Sequence, residues 1–577
     1  MKFINKILIV AFLLGFTNAC DDLDLDKLTD PNQISPEKAS LNDLYNNIQL
    51  TFRNVYNSAE DTPGAVARMY YAGAFSYAQY TTVTDFNDLW EDAYAGLFPD
   101  IDALLVISEG KGFDIHDGSA KIMKAYTLMV LADLLGDVPL LEAGQGTDAI
   151  SPNSTPGADV YSAAIALLDE AIAQLTGTNA GAPAFDNFYG GDPDKWIKAA
   201  NTLKLRAALN MGDGSTFSSL VSAGNIITNA SDDFQFNYGS KRNNPNSRHP
   251  RYLDHYEQDD GTYMSNYYMW SLREGKVNAA GVTIIDPRRR YYFYRKVDDA
   301  FAQDLNSYSC HFTVLPSDDP GTNIAHYDAV DTRLPYCVLI DGYSGRDHLN
   351  GEGIPPDGPI RTSWGLYPFG GDFDDDTFDD TRELGTTGGL GEGILPIMLS
   401  SFVDFMRAEA VLSLGASGNA RTLLESGIRA SMDKVISFES LVSAKMSEER
   451  ILRDGSSGTV RVLFGTDQGD IDNYVAEILA LYDAAADDSE RLDIVIKEYH
   501  IAAWGNGLEA YNMYRRTGFP SNIQPGLEPA AGSSSDPFPL SFLYPIDHTS
   551  RNSNVDPKDD LNVPVFWQDA AVSAILY

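Results

Sequence analysis

Residues 491–520 read RLDIVIKEYHIAAWGNGLEAYNMYRRTGFP. Ile501, Trp504, Leu508, Tyr511 and Arg515 recur at helical spacing and share one face. The spacing predicts a helix over residues 489–517. Gly518 stands where a helix C-cap belongs, and Pro520 stops any continuation. Gly505 and Gly507 cost helix propensity, which makes sense if another backbone must come close there. Arg515 on the apolar face is expensive to bury unless a buried carboxylate meets it. That face calls for a large packing partner that carries an acid.

With 577 residues, 44% of them hydrophobic and 11% aromatic, the chain is globular and long enough to bury a sizeable core. Its formal net charge of −40 argues against nucleic-acid binding and suits a solvated surface outside the cell. Lys2 and Lys6, an apolar run over 7–16 and the small-residue approach Thr17-Asn18-Ala19 make residues 1–19 an export signal, too short to span a membrane. Cys20 directly follows, where a lipoprotein is acylated; a plain secretory signal before an incidental cysteine is the alternative. Cys310 and Cys337 remain, and in an oxidising compartment a disulfide between them is one reading. No CxxC or Cys/His spacing suggests zinc.

Residues 20–36 form an acidic tether. Residues 37–230 read as an N-terminal helical scaffold, with helices expected over 40–57, 64–77, 86–108, 118–135, 160–175, 192–210 and 217–227. Short connections and small residues on contacting faces point to an all-α, tetratricopeptide-like α-solenoid. From 231 to 394 Gly, Pro, Asn, Asp and Tyr dominate and periodicity fades, which marks an irregular functional region. Residues 395–577 return to helices, at 402–414, 420–438, 474–486 and 489–517, and end in a tail; 20–577 reads as one structural unit. Glu409, on the apolar face of 402–414, is the carboxylate expected to meet Arg515, or failing that Arg516 or Arg206.

A set of segments now stands in order: LWEDAYAGLFPDIDALL (89–105), AKIMKAYTLMVLADLLGDVPLLEA (120–143), KWIKAANTLKLRAAL (195–209), IDPRRR (285–290), PIMLSSFVDFMRAEAVLSLG (396–415), AWGNGLEAYNMYRRTGFP (503–520) and FLYPIDHTSRNSN (542–554). Together with the lipoprotein signal they resemble the SusD/RagB family of nutrient-binding outer-membrane lipoproteins, closest to its SusD-like second subgroup. The resemblance covers nearly the whole chain. It implies a helical scaffold with an irregular ligand face, anchored at the cell surface as a lid on a SusC-like TonB-dependent transporter. It also implies capture of an oligosaccharide or a peptide, without catalysis and with no required cofactor.

Sugar binding needs flat apolar faces with amides and carboxylates at their edges. The irregular region offers Tyr267, Tyr268 and Trp270, then Trp364 and Tyr367. Tyr77, Gln79 and Tyr80 lie where the family's ligand face often draws residues. Trp90, Trp196 and Trp504, on helical stripes, read as core. Asp372, Asp374, Asp375 and Asp376 crowd into GGDFDDDTFDDTRE and supply hard donors for Ca²⁺, although the spacing is not an EF-hand and a solvated loop is the simpler reading. His348 lacks a second histidine at ligand spacing and reads as structural, as do Arg288, Arg289 and Arg290. Two other readings stay open: a lipid-anchored helical glycoside hydrolase, whose carboxylate pair the abundance of acids hides, and a tetratricopeptide adaptor. No nucleophile elbow or phosphate loop is present.

Overall fold

The computed structural model describes residues 40–142, 150–177, 181–258, 262–300, 336, 338–351, 360–379, 385–526 and 537–576. The export signal, Cys20 and the proposed Cys310–Cys337 pair lie outside the described residues.

Helices pack on helices, with short two-stranded ladders between them. In the N-terminal half, α1 spans Leu41–Val66. A short helix, Asn87–Glu91, runs through a π turn, Asp92–Leu97, into α2, Phe98–Ser108. The π turn falls where Pro99 has no N–H to offer the preceding turn. Then come α3 (Asp114–Leu135), α4 (Gly157–Leu175), α5 (Pro193–Asn210) and α6 (Gly214–Ala223). Each packs on the next, as the solenoid reading expects. Asp192 caps α5 by accepting from the Asp194 and Lys195 N–H groups, with Pro193 in the first turn. The strand Val138–Pro139 (β1) pairs with Ser154–Thr155 (β2) across the α3–α4 connection.

One expectation changes here. The helix read at 40–57 runs on to Val66 as α1, with Pro63 in its last turns, and the separate helix read at 64–77 does not form: residues 67–76 are turn and extended backbone. Arg68 then takes a left-handed φ of 60°, which turns the chain out of the helix.

The middle region enters and leaves through one ladder: β3 (Phe234–Asn237) runs antiparallel to β6 (Ile394–Met398). Between them β4 (Phe293–Tyr294) pairs with β5 (Ser363–Trp364), and α7 covers Asn266–Arg273. Its aromatic side chains join the same buried apolar cluster as those of the helices. The C-terminal half holds α8 (Ser400–Ser413), α9 (Ala420–Ile436), α10 (Gln468–Ala484), α11 (Asp488–Ala502) and α12 (Gly507–Thr517). α8 packs on α9 and α11, and α10 on both α9 and α11.

The opening stretch is thus two helices rather than one. Gly505 at φ 91° breaks it, and the Asn506 side chain caps α12 by accepting from the Glu509 N–H at 3.0 Å. The glycines serve the close approach expected of them. A Cβ on Gly507 would stand 2.1 Å from the Glu60 carbonyl oxygen and 2.4 Å from Gly64 Cα, so α12 lies backbone to backbone on α1.

Arg515 and Glu409 do not pair. Arg515 instead donates to the carbonyls of Leu540 and Asp133, at 2.5 and 2.8 Å, and stacks on Tyr511. Glu409 is met by Arg516, at 2.5 and 2.8 Å. Successive helical residues turn through about 100°, and it is Arg516 that faces α8. A second buried set ties α3, α5 and α12 together. Arg206 bonds Asp133 at 2.8 Å and also Glu509, and Asp133 accepts further from the Tyr161 hydroxyl, Asn512 and Trp567.

Candidate ligand-binding groove

The outer face of α1 presents Asn54, Asn57, Ser58 and Asp61, at steps of three, four and seven. The helical stretch after residue 87 presents Asp88, Glu91, Asp92 and Ala95 in the same rhythm. The two polar stripes face each other across a cleft of about 430 Å³. It adjoins a second cleft of about 300 Å³, which shares Asn57, Ser58 and Asp88 and extends to Asp61, Asp85, Arg251 and Asp254. Together they make one groove.

Arg251 anchors its far end. Its guanidinium bonds Glu60 and Asp61 at 2.8 Å each and lies 3.8 Å from the Tyr70 ring centre. Glu60 is buried beneath it and accepts from the Tyr70 hydroxyl at 2.8 Å and the Gly507 N–H at 3.2 Å. Burial pushes the Glu60 carboxyl up, and Arg251 pulls it only part of the way back. The Tyr80 hydroxyl shares this field. Burial chiefly, then Asp61 and Asp85, push its pKa up, against Arg251. Tyr71 and Tyr263 are half-buried, with ring centres 5.8 Å apart. Asp92 is pushed up by burial and by its neighbours Asp88 and Glu91. The groove therefore offers carboxylates, amides and hydroxyls along its length and tyrosine rings near one end.

The candidates read from sequence divide sharply. Gln79 is exposed and Tyr80 half-buried beside the groove; Tyr77 is buried beneath them, its hydroxyl 3.0 Å from His348 Nε2. Tyr267, Tyr268, Trp270, Trp364 and Tyr367 are not sugar platforms. All five are at most 3% exposed. The Tyr268 hydroxyl lies 2.9 Å from the carbonyls of His500 and Ile501, and the Tyr292 hydroxyl 3.1 Å from that of Ile501, so they satisfy the end of α11 where the glycine breaks the helix. Tyr268 and Tyr292 stack on Trp504, and Trp364 and Phe369 close the box. Trp364 stands behind Arg251, 5.1 Å from its guanidinium, as support for the groove rather than lining.

Calcium at the acidic loop is likewise corrected. Asp372 pairs with Lys445 at 2.8 Å, Asp374 with Arg295 at 2.6 Å, Asp375 with Arg450 at 2.8 Å and Asp376 with Arg290 at 2.8 Å. The described residues hold no cluster of three or more metal-ligating side chains suited to an ion. Arg288 is structural as expected. It meets Asp286 at 2.7 Å and Glu498 at 2.9 Å, and although burial alone would raise Asp286, Arg288 and Lys276 hold it well below the carboxylate range. Trp196 and Trp504 are core, and Trp90 is partly covered by His548, with ring centres 4.1 Å apart. Sequence reading missed Asp61, Arg251 and Tyr263; the paired polar stripes on the first two helical segments were the available signal for the groove.

Comparisons with known proteins agree with this architecture. Residues 31–323, just over half the chain, match a family described as "Starch-binding associating with outer membrane". Residues 393–556 match "Susd and RagB outer membrane lipoprotein". No curated protein sequence matches. Among solved structures the chain is similar to a SusD/RagB family protein from Bacteroides thetaiotaomicron, with 19% identity, a TM-score of 0.61 and coverage of 92% of this chain and 99% of that one. A SusD homologue from Bacteroides fragilis gives 16%, 0.60, 90% and 98%. A chitin-binding SusD homologue from Flavobacterium johnsoniae gives 18%, 0.61, 92% and 100%. With two family matches in chain order and a shared fold, the chain belongs to the SusD/RagB family.

Proposed function

We propose that the protein captures a neutral oligosaccharide in the α1 groove, without cleaving it, and delivers it to a SusC-like TonB-dependent outer-membrane transporter. The observation that carries this is the groove itself. Asp88, Glu91 and Asp92 make no ion pair with any described residue, in a molecule that pairs its interior acids closely. Unpaired carboxylates and amides beside partly exposed tyrosine rings suit sugar hydroxyls and C–H faces. They repel an anion. The family descriptions, starch-binding and outer-membrane, and the chitin-binding relative support the same reading. Acylation at Cys20 would hold the protein at the cell surface.

The test is a panel of neutral starch and chitin oligomers offered to the purified protein, followed by analysis of the recovered sugar. Saturable binding with the oligomer recovered intact is expected, and it weakens in Tyr80→Ala. Steady release of shorter products would favour a glycoside hydrolase, and undiminished binding by Tyr80→Ala would displace the site. Co-purification of a barrel partner from outer membranes tests delivery.

A further inference from the structure

A second cleft, of about 630 Å³, lies between the segment 278–290 and the N-terminal half of α10. It shares no lining residue with the α1 groove. Arg289 lines it. On one side of it Arg288 pairs with Asp286 and Glu498, and on the other Arg290 pairs with Asp376. Arg289 makes no hydrogen bond or ion pair through its side chain to any described residue, although acids outnumber cations 82 to 42 in this chain. Burial holds its guanidinium below the ordinary value, while Arg290, buried as well, is held above it by Asp374 and Asp376.

Three acids also line the cleft; they are hydrogen-bonded within it but make no ion pair with a described residue. Asp467 and Asp470 accept from each other's backbone N–H at 3.0 Å, closing the N-terminus of α10, and Glu477 accepts from Asn278 at 3.4 Å. The rim is aliphatic: Val282, Ile285 and Val462 are 58%, 39% and 75% exposed. A partly covered guanidinium without a protein partner keeps its donors free, and its plane matches a carboxylate through two parallel hydrogen bonds. Exposed aliphatic side chains beside it would cover a ligand's apolar part.

We propose that this cleft is a second ligand site, which takes a carboxylate flanked by an apolar group, with Arg289 as its charge partner. A peptide C-terminus and an acidic sugar both carry that chemistry. The site is distinct from the groove, which disfavours anions.

The test offers the purified protein a short Leu/Val peptide with a free C-terminus, the same peptide amidated, and a glucuronate oligosaccharide with its neutral counterpart, read by calorimetry. At least one carboxylate probe binds, its uncharged counterpart binds at least tenfold more weakly, and Arg289→Gln loses at least tenfold. Preference for the peptide or for the glucuronate names the source. Val462→Asp, on the exposed rim, weakens the same probe and serves if Arg289→Gln does not fold. Neutral-sugar binding in the groove is unchanged in both variants, so the two sites fail separately. Equal binding of charged and uncharged probes, an unaffected Arg289→Gln, loss of the carboxylate probe in Tyr80→Ala, or no binding of any carboxylate would overturn the proposal.

Discussion

The box around Trp504 and the groove along α1 lie on the two sides of one residue, Arg251, and they use the same chemistry to opposite ends. In the box, tyrosines and tryptophans pack ring to ring, and the charges of the interior are matched, Arg206 with Asp133 and Glu509, Arg288 with Asp286 and Glu498. In the groove, Asp88, Glu91 and Asp92 stand side by side without an ion pair to any described residue, while Asp61 meets Arg251 at the far end, near the half-buried Tyr71 and Tyr80. Residue type therefore does not separate support from binding here. For the carboxylates, pairing does: an acid with its cation holds the fold, and Asp88, Glu91 and Asp92, with none among the described residues, stand at the groove.

The largest way to break this contrast is to unpair the interior. Arg206→Met leaves Asp133 and Glu509 buried without their cation and should cost about 3–5 kcal/mol, read as a lowered urea midpoint. Trp364→Ala should cost a similar or slightly smaller amount, about 3–5 kcal/mol from cavity and lost packing, and should weaken sugar binding only as far as the fold loosens. Acid comes next. Burial lowers His500 to about 4 from an ordinary value of 6.5, and His348 is lowered too, chiefly by burial. Both stay neutral in the fold, while the unfolded chain takes up protons below about 6.5. Their contribution is full above that pH and is lost as pH falls toward 4, so the thermal midpoint should begin to drop near pH 6.5, above the carboxylate range. On the groove side, Tyr80→Ala should lower sugar affinity about tenfold, the size of a single hot-spot contact. Smallest of all, Asp88→Asn should leave stability within about 0.5 kcal/mol and reduce affinity by less than Tyr80→Ala.

The helical frame was legible because its signals are local. Pro193 behind Asp192, Gly518 before Pro520 and the apolar stripes of α3 and α5 mark elements from within a few residues. The need for a carboxylate at Glu409 was legible as well, but not which of two adjacent arginines would reach it, because that depends on a helix rotation set by the break at Gly505. The aromatic cluster misled for a physical reason. Tyr268 and Trp364 sit in sequence among Gly, Ser and Asn, as a binding loop does. Yet the carbonyls that recruit Tyr268 lie more than two hundred positions away, on α11. The acidic loop misled in the same way, because Arg295, Lys445 and Arg450 reach it from distant segments. The groove was partly legible: Tyr80 was named, whereas Asp61 and Arg251 meet only after α1 folds against the segment at 250–254.

The most direct measurement is hydrogen–deuterium exchange of the purified protein with and without the neutral oligomer that binds most tightly. Slowed exchange over residues 54–62, 85–96 and 250–254, with 266–273 and 360–369 unchanged, is predicted. Slowing confined to 266–273 and 360–369, with the α1 groove untouched, would contradict the division between a paired interior and an unpaired ligand face.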